Sequence, residues 1–347
     1  MKALFFIAPG KMEIREVPKP LCPDGGMLVK VFACGFCGSD LRTYKSGHSR
    51  VNPPWIIGHE IAGVVEEVGR GVKKFQVGDR VAVAPPVYCG KCWYCRRGIF
   101  YLCLNQREIA QAWPGGFAEY IAIPPEAIAF GSINKIPEGL SFEEAAISEP
   151  ASSCVNAHEV ADTSLEDNVV IIGAGPIGCF HVEVAKARGA QKVILMDVLE
   201  SRLNLARRFS PDYLLQNKPG SSEHIDKVLE LTEGMGASVI VVACPSGEAQ
   251  QDALKMAAKG GRILFFGGLP KEKSMVSFDS NLIHYRGLKI IGATTFSPKH
   301  HEIALSMFVS RKIHAQDYIT HVFSLEDYQK AIDVLLSGEA LKVVLRP

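Results

Sequence analysis

Cys89, Cys92, Cys95 and Cys103 stand together in the chain, spaced C-x-x-C-x-x-C-x7-C. Three thiols at this spacing can wrap one tetrahedral ion, and the fourth can close its shell. Four thiolates leave no open coordination position, so such a metal would be structural, with Lys91, Arg96 and Arg97 offsetting part of the thiolate charge. Zinc is the expected ion; spacing alone does not exclude iron–sulfur chemistry, which uses the same ligand type. Ten cysteines in all could mean disulfides. A disulfide framework is spread along its chain, however, and clustered cysteines in a long chain more often hold metal.

A second constellation is looser. Cys37 lies in CGFCGSD, His59 and Glu60 precede the apolar run IAGVVEEVG, and Glu149 lies in ISEPASS. A thiolate, an imidazole and a carboxylate would supply three ligands and leave a fourth position open, as catalysis requires. Each residue alone is weak. A lone histidine at a strand start is more often a surface or core residue, a lone cysteine usually packs, and a glutamate before proline can cap a turn.

The third signal is Gly173, Gly175 and Gly178 in VVIIGAGPIGCF. This G-x-G-x-x-G follows a strongly apolar strand and opens a helix, with Pro176 suited to its first turn and Ile177 beside it. Such glycines let the backbone turn and approach a pyrophosphate, to which the helix N-terminus offers unpaired N–H groups. The next strand ends at Asp197, where a carboxylate can accept from the adenosine ribose and repel a 2′-phosphate, favouring NAD over NADP. Arg202 could instead greet a phosphate; the expectation here is that it lies over the adenine or on its helix face. Gly267, which ends the strand RILFFG, and Leu269 just past it complete the expected cofactor contacts.

The elements that must position these residues differ along the chain. Up to about residue 150, short apolar runs alternate with Gly- and Pro-rich turns, as in a compact β-rich domain, and no long helical pattern appears. MKALFFIAPGKMEI reads as a first hairpin rather than a signal peptide, because Pro9 and Gly10 break the apolar run. From Val169 the strands VVIIG, KVILMD, DYLLQ, SVIVVA, RILFFG and LKIIG alternate with helix-like stretches, among them EAQQDALKMAAKG. Repeated β-α units of this kind imply a parallel sheet with helices on both faces, the doubly wound dinucleotide fold. After about Ile291 the alternation stops. Two helices, HEIALSMFVSR and LEDYQKAIDVLLSG, and a last strand, LKVVLRP, are expected to return to the first domain.

The composition is that of a globular protein: 347 residues, 47% apolar, 22% charged and a net charge of +1. Such a length predicts two domains, and such a balance gives no reason to expect nucleic acid or an anionic membrane as partner. No apolar run reaches the ~20 residues of a membrane span, so the expected location is the cytoplasm.

Together these stretches resemble the zinc-containing medium-chain alcohol dehydrogenases over nearly the whole chain. Within them, CGSD, GHE, the four-cysteine lobe, GGFAEY, the SEPA segment, GAGPIG and ITHVFSLEDYQKAIDVL are most similar to the sorbitol (polyol) and threonine dehydrogenase branch. The resemblance implies an α/β protein with a β-rich GroES-like catalytic domain, residues 1–151 and 293–347, and a Rossmann domain, residues 152–292. It implies two zinc ions per chain, NAD, a small alcohol or ketone as substrate, and a homodimer or homotetramer. Cys37 and His59 would bind the catalytic zinc. Glu149 would be the third ligand or hold a water, and Glu60 would be a carboxylate able to swing onto the metal. Asp40 would orient His59, and Ser39 would take the substrate proton before hydride leaves for C4 of the nicotinamide.

Two positions depart from the family pattern. Arg42 stands where many relatives end the proton relay in histidine, and an arginine stays protonated. Thr295 stands where polyol dehydrogenases tend to carry an arginine that binds substrate. Tyr44, Trp55 and Trp113 could face the cleft or pack in the core, and His300 and His301 read as a solvated helix start. The leading expectation is a polyol or sugar-alcohol dehydrogenase. Its rivals are a threonine-type enzyme and a zinc-free quinone reductase of the same fold.

Overall fold

Residues 1–218 and 220–347 are described by a computed structural model. The chain divides into two compact units, Met1–Ser152 with Thr295–Pro347, and Ser153–Thr294.

In the second unit the apolar runs form one six-stranded sheet, all of its pairs parallel. Across the sheet the strands run Tyr213–Gln216, Lys192–Asp197, Asn168–Ile172, Ala237–Val242, Ala257–Phe265 and Lys289–Gly292. The order reverses beside Asn168–Ile172, the first strand, as in doubly wound folds. Val169–Ile172, Val193–Met196 and Val239–Val242 are buried throughout, which is why these strands read as unbroken β-branched and aliphatic runs rather than as alternation. One stretch differs from its expected form. The helix Gly247–Met256 stops before AAKG, and Ala257 opens a strand instead. Gly260 there has φ +74, and the pairing with Ala237–Val242 shifts register at this point, so the glycine pair makes an irregular strand entry where periodicity predicts a last helical turn.

In the first unit the Lys2–Ala8 and Lys11–Glu16 hairpin forms around Pro9 and Gly10. The larger sheet has eight strands, six on its main path and two more paired to Met27–Phe36 and to Arg80–Val87. Met27–Phe36 lies at its centre, antiparallel to both Glu60–Val68 and Lys342–Arg346. The C-terminal strand Lys342–Arg346 is part of this sheet. Short helices also occur here. One of them, Gly38–Ser46, buries only Asp40 and Thr43, so it carries no apolar stripe for a sequence pattern to reveal. Among the described residues no helix is long and apolar enough to cross a membrane.

Several histidines are buried in these two cores. His158 faces Thr163 Oγ1 through Nδ1 at 2.9 Å. Burial, aided by the charge of Arg188, pushes its pKa down to about 3. His301 lies between Ser148 Oγ at 2.8 Å and Asn134 Nδ2 at 3.1 Å, and burial pushes it down to about 4. Both are neutral in the folded chain near pH 7, whereas an unfolded histidine takes up its proton near pH 6.5. Below about 6.5 the unfolded chain therefore binds more protons than the folded one, and stability falls as pH falls, on the order of 1 kcal/mol per pH unit per histidine. The loss continues until the folded histidines protonate, near 4 and 3. Urea unfolding between about pH 7.5 and 5 should show this decline, and His158→Gln should make it shallower. An unchanged slope in that variant would mean that His158 is not held neutral.

Candidate functional site

Three strand ends meet at one corner of the first unit. Cys37 follows the end of Met27–Phe36, His59 and Glu60 open Glu60–Val68, and Lys342 opens Lys342–Arg346. The ladder pairs Gly35 with Glu60 and Phe36 with Val343, which sets these side chains side by side. Metal-binding atoms of Cys37, His59 and Glu60 all lie within 4.8 Å of one another. That is close to the ~3.5–4 Å between donors around a tetrahedral zinc.

Asp40 ties the corner together. One carboxylate oxygen accepts from Cys37 N at 3.0 Å; the other accepts from Gly58 N at 3.3 Å and lies 3.3 Å from His59 Nδ1. Cys37 is thereby fixed at the N-cap of the Gly38–Ser46 helix. Nδ1 of His59 is committed to Asp40, which leaves Nε2 for a metal, the arrangement typical of metal-binding histidines. Burial opposes a charge on His59, but the Asp40 carboxylate and Cys37 outweigh it and raise the pKa well above the usual range. The site therefore favours positive charge at this imidazole, a role a cation would take over when it displaces the proton.

Glu60 is fully buried. Its Oε1 pairs with Lys342 Nζ at 2.5 Å, while Oε2 has no hydrogen-bond partner. A buried carboxylate oxygen left open beside a thiol and an imidazole fits a metal donor set. Burial opposes the charge on Lys342; Glu60 and Cys37 overcome it and raise its pKa. Removing one partner of such a buried pair typically costs about 3–5 kcal/mol. A Cβ at Gly35 would sit 1.9 Å from Glu60 Oε2, so only glycine leaves room for this carboxylate. Neither Lys342 nor Gly35 is marked by the sequence reading. Lys342 is 282 residues from Glu60, and only the strand pairing shows that they meet.

Glu149 is not in the cluster of Cys37, His59 and Glu60. It lies in the first turn of the Ser148–Val160 helix rather than in a turn. Burial raises its pKa to about 7, with His59 lowering it and Glu60 raising it. Ser39 is exposed in the first turn of its helix, its Oγ 3.5 Å from His59 Nε2. Arg42 is exposed on the same helix.

The expected lining residues behave differently. Tyr44, Trp55 and Trp113 are half-buried and pack against the first unit's core; Trp55 Nε1 donates to Ala110 O, and Arg107 lies over the Trp113 ring. The solvated helix start expected at His300 and His301 is overturned, because both are buried. His300 Nδ1 accepts from Ser297 N at 2.9 Å as a helix cap, and partners for His301 come from distant segments, beyond the reach of local pattern. Thr295 adopts φ +46.

Cys89, Cys92, Cys95 and Cys103 form the other cluster, with all four sulfurs within 4.8 Å and none in a disulfide. The Cys95 amide donates to Cys92 Sγ; such backbone donors lower Cys92 to about 6, whereas burial raises Cys95 to about 12. The donor set fits a closed tetrahedral zinc site.

In the second unit, Gly173 takes φ +115, and a Cβ on Gly178 would lie 1.7 Å from Gly173 O. These two glycines let the Pro176–Ala187 helix press against its strand, with Gly175 as its N-cap and Pro176 and Ile177 at its start. Asp197 is buried at the end of its strand. Its oxygens accept from Ala174 N at 2.7 Å and Leu199 N at 2.9 Å. Arg202 lies 4.0 Å from this carboxylate, and both line a cavity at the ends of the strands. Gly267 and Leu269 lie outside the lining of that cavity; a Cβ on Gly267 would collide with Cys244 O.

An open three-donor centre in one unit and a dinucleotide cradle in the other define a metal-assisted, nicotinamide-linked dehydrogenase. Residues 23–132 match the alcohol dehydrogenase GroES-like domain and residues 176–310 the zinc-binding dehydrogenase domain. The chain is 33% identical to L-threonine 3-dehydrogenase of Pyrococcus furiosus over 95% of its length and 92% of that protein. It is 32% identical to sorbitol dehydrogenase of Halalkalibacterium halodurans over 97% and 96%. Among solved structures, an alcohol dehydrogenase from Escherichia coli CFT073 complexed with NADH has 28% identity and a TM-score of 0.89, covering 100% of this chain and 99% of that one. A zinc-binding dehydrogenase structure from Sinorhizobium meliloti 1021, bound to NADP, has 27% identity and a TM-score of 0.89, with the same coverage. The chain belongs to the zinc-containing medium-chain alcohol dehydrogenase family, and it is an oxidoreductase of the alcohol or polyol type.

Gly35 supplies a test of the site's packing. Gly35→Ala should force Glu60 off its pairing with Lys342 and lower stability by about 1–3 kcal/mol, the usual cost of overpacking, as read by urea unfolding. Unchanged stability would show that the carboxylate has another place to go.

Proposed function

We propose that this chain oxidises a secondary hydroxyl of a polyol or sugar alcohol and passes the hydride to NAD. The observation that carries this reading is the convergence of Cys37, His59 and Glu60 around Asp40, with the hydroxyl of Ser39 exposed beside them. Cys37 and His59 would hold a catalytic zinc, with Glu60 or Glu149 as third ligand, and the four cysteines a second, structural one. When bound, the catalytic ion supplies Lewis acidity, lowering the pKa of a substrate hydroxyl.

The chain's own groups then have separate tasks. Asp40 keeps His59 in one tautomer and orientation. Ser39 Oγ accepts the hydroxyl proton and passes it on toward water, since the Arg42 guanidinium stays protonated and cannot receive it. Asp197 receives the adenosine ribose, and the Gly173–Gly178 turn with its helix N-terminus receives the pyrophosphate. The working protein would be a cytoplasmic dimer or tetramer. A second reading, oxidation of an amino-acid alcohol such as threonine, is favoured by the threonine dehydrogenase relative and by Thr295 in place of a substrate-binding arginine.

NAD-linked assays over polyols, sugar acids, inositols and threonine decide between the two substrates. On whichever substrate works, Cys37→Ser should lower kcat/KM by at least about a thousandfold, equivalent to roughly 4 kcal/mol of lost Lewis-acid assistance, with the fold intact by circular dichroism. Wild-type turnover in that variant would remove Cys37 from the mechanism.

NAD should exceed NADP in kcat/KM on the order of a hundredfold, because the 2′-phosphate would face the Asp197 carboxylate. Equal efficiencies would overturn that role for Asp197.

Elemental analysis should find about two zincs per chain. Asp40→Asn should weaken the chelator-labile one about 10–100-fold and leave the four-cysteine ion in place. A single tightly held ion would contradict the two-site reading.

A further inference from the structure

The cavity at the ends of the second unit's strands contains a polar group that the preceding reading leaves unused. Its walls include Ile172, Met196, Val198 and Cys244, a largely apolar slot of the kind that takes a flat base, with Asp197 at one edge. His224 also lines it, from the helix Glu223–Leu231. Its Nε2 lies 3.1 Å from Asp252 Oδ2, and the two side chains are only 5% and 12% exposed. The other oxygen of Asp252 is engaged by Lys255 Nζ at 2.9 Å, which anchors the carboxylate. His224 Nδ1 is buried and has no hydrogen-bond partner.

This arrangement fixes what Nδ1 can do. An ionised carboxylate only accepts, so Nε2 must carry the hydrogen toward Asp252. In the neutral imidazole the remaining nitrogen, Nδ1, is then an acceptor. A buried acceptor with no partner, on a residue that lines a ligand cavity, calls for a ligand donor. Adenine presents one N–H donor group at its base edge, the exocyclic 6-amino group; its ring nitrogens are acceptors and would meet Nδ1 lone pair to lone pair.

We infer that His224, held in one tautomer by Asp252, recognises the adenine of the dinucleotide by accepting a hydrogen bond from its 6-amino group. The inference rests on the dinucleotide reading given above and adds to it the recognition of the base. It assigns Asp197 to the ribose and the His224–Asp252 pair to the base, so that the two ends of the adenosine are read by different elements.

The test is direct binding at about pH 8, followed by nicotinamide fluorescence, with NADH and with the reduced dinucleotide of unsubstituted purine, in which hydrogen replaces the 6-amino group and no ring N–H is gained. The wild-type protein should bind NADH about tenfold more tightly than the purine analogue. His224→Leu should weaken NADH about five- to tenfold and leave the analogue within about twofold, abolishing the preference. Asp197→Ala should weaken both dinucleotides alike, because both carry the same ribose. Equal affinities in the wild-type protein, or a preference retained in His224→Leu, would overturn the role of His224 while leaving the dinucleotide site standing. Failure of the wild-type protein to bind either compound would overturn both. Equal affinities in the wild-type protein would overturn the inference without any variant, even if His224→Leu does not fold.

Discussion

The carboxylate of Asp40 is the hinge of the first unit's chemistry. It accepts from the amide of Cys37, from the amide of Gly58 and stands against the ring of His59, so one buried anion fixes two separated segments of chain. A buried carboxylate is costly unless several donors satisfy it. Here the donors that satisfy it belong to the residues a metal would need in register. The same contacts that stabilise Asp40 therefore align the thiol and the imidazole, and neither can drift without leaving that charge exposed to an apolar interior.

Beneath this lies a second pairing of opposite charges, Glu60 with Lys342. It links the strand carrying the histidine to the last strand of the chain. Desolvating two charges is repaid only by good geometry and by further partners. One oxygen of Glu60 has Lys342, and the other is buried with no hydrogen-bond partner, in a cluster with Cys37 and His59. The pair thus leaves the carboxylate partly committed, held by a cation on one side and open to one on the other.

Much of the architecture was legible in the residues, for reasons that can be named. The second unit's strands are buried on both faces, so their sequences are continuous runs such as VVII and VIVV, and the glycines between strand and helix are demanded by contacts as close as that of Gly178 with Gly173. The cysteine cluster is local and needs no tertiary information. What was not legible depends on partners far along the chain or on elements without an apolar face. The Gly38–Ser46 helix is short and polar, Lys342 meets Glu60 only through sheet pairing, and His301 is buried because Ser148 and Asn134 receive it. Polar residues with distant partners resemble surface residues until the fold is known.

The tight fit at Gly35 has a practical side. With no space for even a methyl group behind Glu60, the strand junction that carries it is closed to added bulk. The outer face of the Gly38–Ser46 helix, where Ser39 and Arg42 are exposed, carries no such restriction. Anyone wishing to redirect the enzyme to a different alcohol would do better to keep Ser39, vary the exposed positions around Arg42, and treat the strand junction as scaffold.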